Sequence, residues 1–194
     1  MTSDTNPRAG QTGTSSLPAT DWSKKPLYEL IEHIVERHHE YLREELPAIE
    51  EKLELMTVRL GEGARGTLGP LLDVFSGMKN ELDDHMRKEE MILFPFIERT
   101  ERSFEEGVPA DPPPFGTVRN PIQTMLIDHD STFDALKQIR QMTNGYTLPG
   151  EDREAHEALY KGLEELESDL RIHIHLENDI LFPRALALEK DAIR

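Results

Sequence analysis

A chain of 194 residues with 37% apolar content can bury one compact core. Its formal charge of -16 opposes the positive field that phosphate backbones and anionic lipid surfaces require, which speaks against nucleic-acid and membrane partners. No run reaches the roughly 18 apolar residues of a membrane span, the start MTSDTNPRAGQTGTSS lacks a basic region and an apolar core, and a cytoplasmic location is expected. With no cysteine in the chain, any metal must be held by nitrogen and oxygen.

Residues 1–22 are rich in Thr, Ser, Gly and Pro, with Leu17 and Trp22 the only large apolar side chains after Met1. They read as a disordered tail, and residues 23–194 as one domain. From Pro26, suited to a first helical turn, Ile31, Val35, His39, Leu42, Leu46, Ile49, Leu53, Met56 and Leu60 follow at steps of three and four. One long amphipathic helix is expected, with Pro47 as the place for a kink. After the turn-like GEGARGTLGP, a second stripe runs Leu71, Phe75, Met78, Leu82, His85, Glu89, Ile92 and Phe96. The stretch EEGVPADPPPFG, with four prolines in six positions, predicts an extended loop. A third helix is expected from NPIQ, where Asn120 can cap, Pro121 fits the first turn and Gln123 can reach back. Its stripe is Ile122, Leu126, His129, Phe133 and Leu136; after NGYTLPG the fourth is Leu159, Leu163, Leu166, Leu170, His173, Glu177 and Ile180. Four such helices with short or moderate connections predict an all-α fold, an antiparallel up-down-up-down four-helix bundle.

HMRKEEMILFPF, starting at His85, and HIHLENDILFPR, starting at His173, share the frame H, three residues, E, two residues, ILFP. A lone HxxxE is most simply a surface pair at helical spacing. Two copies in the core-facing register are another matter, because every stripe is then interrupted by a histidine and two of them by a glutamate as well. His39, His85, Glu89, His129, His173 and Glu177 would face one another, at a cost of several kcal/mol per buried ion without a counter-charge. A pair of divalent or trivalent cations answers this, since imidazole and carboxylate suit Fe, Mn, Co and Zn. A single six-coordinate structural ion is the alternative. Neither the HExxH of zinc proteases nor the ExxH of ferritin-like centres occurs in the two repeats.

Around these residues, Ile92 and Ile180 are expected to continue the inward stripe, and Phe94 and Phe182 to seal it from water. Pro95 and Pro183 free the carbonyls of Met91 and Asp179 and should bend or loosen their helices. Glu81 and Asp169, four residues before their histidines, either orient them or are ordinary surface acids. Asp128 and Asp130 flank His129 with a weaker claim. His38 lies about 100° round the helix from the inward stripe, which makes His39 the better ligand, and His33, His156 and His175 read as rim or solvent residues.

Taken in order, LIEHIVERHHEYLREELP, HMRKEEMILFP, DHD and HIHLENDILFPRALA resemble the hemerythrin-like family of HHE cation-binding domains, over about residues 27–188. Within that family the di-iron repair-of-iron-centres proteins are the nearest in pattern. The resemblance implies two non-haem iron ions, carboxylate- and oxo-bridged, with manganese able to take the same ligands. His39, His85, His129 and His173 would anchor them and Glu89 and Glu177 would bridge. Oxygen-carrying hemerythrins use HxxxH on the third helix and HxxxxD on the fourth, where this chain has Phe133 and Asn178, so a dedicated oxygen carrier is not expected. Many repair-type members carry a cysteine-bearing domain ahead of the bundle; here the expectation is a polar tail in its place and the bundle's own chemistry alone. The implied function is a stress-response protein that binds or reduces nitric oxide or oxygen species, or supplies iron for iron-sulfur cluster repair, with a reductase and iron-sulfur clients as partners. A non-catalytic sensor or store for oxygen, nitric oxide or iron is the second reading, and a purely structural bundle the third.

Overall fold

The computed structural model describes residues 20–59, 61–150 and 153–192, so most of the expected tail at 1–22, together with Leu60, lies outside the described residues. Four long helical rods form the bundle. The first comprises α1 (Leu27–His33), a π-helical turn (Ile34–His39) and α2 (Glu40–Arg59). The second comprises α3 (Gly61–Lys88), a π-helical turn (Glu89–Leu93) and α4 (Phe94–Glu105). The third is α5 (Arg119–Met142), uninterrupted. The fourth comprises α6 (Arg153–His175), a π-helical turn (Leu176–Leu181) and α7 (Phe182–Ala192). α2 packs on α3 and α6, α3 on α5, α1 on α4, and α4 on α7. The start of each rod thus lies against the end of the next, which is the antiparallel up-down arrangement.

The stretch GEGARGTLGP, expected as a turn, is instead the beginning of α3. Pro47 also leaves α2 unbroken. The loop 106–118 is non-helical throughout, as its prolines favour. Asn120 does not cap α5; it lies in the first turn and donates its side-chain amide to the Phe115 carbonyl. The cap comes from another rod, because the Glu189 carboxylate of α7 accepts from Val118 N at 2.6 Å and Thr117 Oγ1 at 2.6 Å. In the same way Glu101 of α4 accepts from Leu27 N and Tyr28 N at the start of α1. Both devices put a carboxylate at the positive end of a helix.

Three rods carry a π-turn, and each turn adds one residue to the helical repeat. In the turns at 89–93 and 176–181 the cause is local: Pro95 and Pro183 have no N–H to give to the carbonyls of Met91 and Asp179, and the preceding residues, Phe94 and Phe182, bond five residues back to Glu89 and Glu177. The extra residue shifts the inward face. Ile92 is 49% exposed and Ile180 only half-buried, and the inward positions pass to Leu93 and Leu181. On the first rod Ile34 replaces Val35 for the same reason. In α5, which keeps a regular repeat, Met125 and Thr132 take the inward places expected of Leu126 and Phe133.

Two apolar clusters result. One gathers residues such as Leu42, Leu46, Phe75, Leu82, Leu136 and Leu170, and the other Leu30, Ile34, Leu93, Ile122, Leu181 and Phe182. Between them lies a polar layer.

The α5–α6 connection has three successive left-handed residues, Asn144, Gly145 and Tyr146. Glycine enters that region freely, but tyrosine does so at a cost of order 1 kcal/mol or more. Tyr146 is held there by its surroundings. Its hydroxyl donates to Glu167 at 2.6 Å, and Arg140 lies 5.1 Å above its ring. Glu167, 3% exposed, also accepts from Arg140 and Arg171. Burial works against the ionised form, but the Tyr146 and Arg171 hydrogen bonds prevail and hold its pKa below the ordinary carboxylate value. Tyr146→Phe should therefore cost about 1–3 kcal/mol at neutral pH, measured by urea unfolding. Because a lowered carboxylate pKa stabilises only above the unfolded value, the difference between variant and wild type should shrink as pH falls through the carboxylate range.

A candidate metal centre between two apolar layers

His39 closes the π-turn of the first rod, Glu89 opens that of the second, and Glu177 lies in that of the fourth; His85, His129 and His173 come from α3, α5 and α6. None of the six is more than 1% exposed. The structure brings together all six of the side chains singled out by the sequence. His39 Nε2 and His173 Nε2 are 3.1 Å apart, and so are His85 Nε2 and His129 Nε2. Glu177 spans the two pairs, with Oε1 3.0 Å from His173 Nε2 and Oε2 3.1 Å from His129 Nε2. Glu89 Oε2 lies 3.5 Å from His39 Nε2 and 3.4 Å from His85 Nε2. Two overlapping groups follow, one of His39, Glu89, His173 and Glu177 and one of His85, Glu89, His129 and Glu177, in each of which the donor atoms lie within 4.8 Å of one another.

Hydrogen bonding satisfies only part of this set. Two facing imidazole nitrogens share at most one proton, and both oxygens of the wholly buried Glu89 lack any hydrogen-bond partner. Burial, and then the adjacent Glu177, push Glu89 well above the ordinary carboxylate range. Burial also lowers His39, and takes His85 down to about 4, which favours the neutral, ligating form of the ring. Ligand atoms about 2.1 Å from one ion and at right angles around it are about 3.0 Å apart. The 3.0 and 3.1 Å contacts among these donors have that spacing. The spacing and chemistry of the donor set therefore fit a pair of cations.

The other ring nitrogens are held unequally. His39 Nδ1 donates to Glu90 Oε1 at 2.6 Å, and Glu90 is itself bound by Arg43. His129 Nδ1 donates to Asn178 Oδ1 at 2.8 Å. His85 Nδ1 stands 3.5 Å from Asp128, which pairs with Lys88, and His173 Nδ1 has no partner. Glu90 and Asn178 were not foreseen from the sequence, though a signal existed: each is the polar residue directly after an HxxxE frame, on the side that reaches the next rod. Glu81 orients nothing here, since it accepts from Ser131. Asp169 pairs with His38 rather than His173. His156, expected at the rim, is buried and its ring meets Tyr160 edge-on. Phe94 stacks on His39 and Phe182 on His129, at 5.8 and 6.0 Å between ring centres, and so they close the layer against water as expected.

The hemerythrin HHE cation binding domain matches residues 30–185 of this chain. The chain is 39% identical over 171 residues to the iron-sulfur cluster repair protein YtfE of Cronobacter sakazakii, covering 88% of this chain and 71% of that protein. It is 38% identical over 172 residues to the YtfE protein of Escherichia coli O81, covering 87% and 70%, and 38% identical over 176 residues to that of Yersinia pseudotuberculosis, covering 89% and 72%. No helix among the described residues is long and apolar enough to cross a membrane. A polar layer of histidine and glutamate inside a four-rod bundle is what a cation-binding domain needs, and by sequence and architecture alike the chain belongs to the hemerythrin HHE cation-binding family.

Proposed function

We propose that His39, His85, His129 and His173 anchor two iron ions, that Glu89 and Glu177 bridge them, and that the protein serves in the cytoplasm in iron-sulfur cluster repair under nitrosative or oxidative stress. The observation that carries this reading is the pair of four-ligand groups that share both glutamates. The relatives' names supply the repair role, and damaged iron-sulfur proteins and a reductase are the implied partners. When bound, such ions supply electron exchange with nitric oxide or oxygen species and iron that can be given up.

The chain's own part is to hold, orient and exclude. Glu90 and Asn178 keep the proton of His39 and His129 on Nδ1, so that each Nε2 is presented as a lone pair. Glu89 and Glu177 supply negative charge to both positions at once. Six protein ligands for two ions leave positions that small diatomic molecules can enter. Phe94, Phe182 and the two apolar clusters keep bulk water away.

Protein purified without added metal should contain two irons per chain and show oxo-to-iron absorption; metal analysis with optical spectroscopy checks both. Glu89→Ala and Glu177→Ala should lose metal and absorption together, and retention of two irons by both variants would remove the bridging assignment. Repeated turnover of nitric oxide or peroxide with an electron donor is the expected behaviour, whereas stoichiometric binding alone would indicate a sensor.

Two further outcomes follow from the surroundings of the site. Glu90→Gln should weaken iron binding about 10- to 100-fold in a chelator competition, because it replaces the anion behind His39. Metal at a hundredfold excess over its dissociation constant should add about 2.7 kcal/mol, or about 5–10 °C of melting temperature, readable by calorimetry of the metal-free and loaded forms.

A further inference from the structure

The polar layer is joined to the surface by a file of aromatic rings. His173, 1% exposed, faces His38, 3% exposed, with the two rings 5.6 Å apart between centres and 6° from parallel. His38 meets the half-buried His33 edge-on at 5.7 Å. His33 in turn stacks on the half-buried indole of Trp22 at 4.6 Å and 28°. Every step falls within the range of about 4.5–7 Å for aromatic rings in contact. Two other anchors lead to a different kind of ring. His39 stacks on Phe94 and His129 on Phe182, both 2% exposed, and phenylalanine is far harder to oxidise than tryptophan.

The outer end of the file is held in place. Arg184 of α7 donates to the carbonyls of Trp22 and Lys25 at 2.7 and 2.6 Å, and Trp22 packs against the second apolar cluster. Along the file, charge is arranged so as not to oppose the loss of an electron. Burial, and then His38, hold the pKa of His33 below its ordinary value, which favours an uncharged ring. His38 donates from Nδ1 to the Asp169 carboxylate at 3.0 Å, so a negative group stands behind it.

We propose that Trp22 is a one-electron relay residue, joined through the rings of His33 and His38 to the His39–His173 position, and that it supplies an electron missing there when peroxide is reduced. The inference rests on the iron-binding reading above and adds the residue that completes the electron count. Reduction of hydrogen peroxide to two waters takes two electrons and two protons. In a chain holding one ferrous and one ferric ion, one electron comes from the ferrous ion and the other from the Trp22 indole. The indole Nε1 gives up its proton, solvent supplies the second, and a neutral tryptophan radical remains. A one-electron reductant in solution, such as ascorbate, returns that radical to tryptophan together with one proton.

The test uses the full-length chain loaded with ferrous iron, brought to one ferrous and one ferric ion with one equivalent of ferricyanide, and mixed with hydrogen peroxide without oxygen. Freeze-quench electron paramagnetic resonance should show an indole radical. Peptide mass spectrometry should find oxygen added to Trp22, the chain's single tryptophan, unless ascorbate is present. Trp22→Phe, which keeps a ring against His33, should abolish the radical while binding iron and melting as wild type does. His33→Leu leaves Trp22 in place but removes one ring from the file, and should lower the radical yield at least tenfold; His33→Phe should recover most of it. Should Trp22→Phe fail to fold, the two His33 variants carry the test. Equal oxidation of Trp22 in the metal-free chain, a radical that survives in Trp22→Phe, or a yield untouched by His33→Leu would overturn the relay. Peroxide consumed by the iron-loaded chain with Trp22 intact and no radical formed would defeat the relay alone, whereas a wild-type chain that takes up no iron would defeat the proposed function and the relay together.

Discussion

Two carboxylates, Glu89 and Glu177, sit at zero exposure in the middle of a helical bundle, between layers of leucine, isoleucine and phenylalanine. An ionised carboxylate in such a place is tolerable only beside compensating positive charge. Burial lowers the pKa values of His39 and His85, and among the described residues no lysine or arginine pairs with either glutamate; the basic groups nearby, Arg43 and Lys88, pair with Glu90 and Asp128. Every other feature of the centre, from the rings that stack over it to the polar residues behind the histidines, is arranged around that unmet charge.

The architecture was legible because the stripes are long and each joins apolar residues to one histidine at helical spacing. The six inward donors were legible for a related reason: the HxxxE frame occurs twice, and only a shared depth in a bundle makes sense of the repetition. What was not legible came from outside the regular repeat. A three- and four-residue count carries Ile92 and Ile180 inward, but the extra residue of each π-turn hands that face to Leu93 and Leu181. The prolines at 95 and 183 announced a disturbance in the helix without saying that it would be a change of phase. Contacts between rods were equally hidden. Asp169 stands one turn before His173 in the chain and pairs with His38 on another rod, and the caps of α1 and α5 are supplied by Glu101 and Glu189, which no local pattern could foretell.

The stretch at 61–70 shows the opposite failure. Its four glycines and Pro70 carry strong turn propensity, yet it forms the first turns of α3. Propensity is a weak prior when a helix is anchored further along by Leu71, Phe75 and Met78.

The shift of phase also bears on how substitutions will be tolerated along each interrupted rod. Below the polar layer and above it, the same rod shows different sides to the interior, so one helical wheel drawn through the whole length would misassign half of it. A designer grafting this centre onto regular helices would align the donors and then find the far segment turned by the angle of one residue, its leucines in water. The irregular turns are thus what lets one continuous rod serve both the cation layer and the two greasy compartments on either side of it.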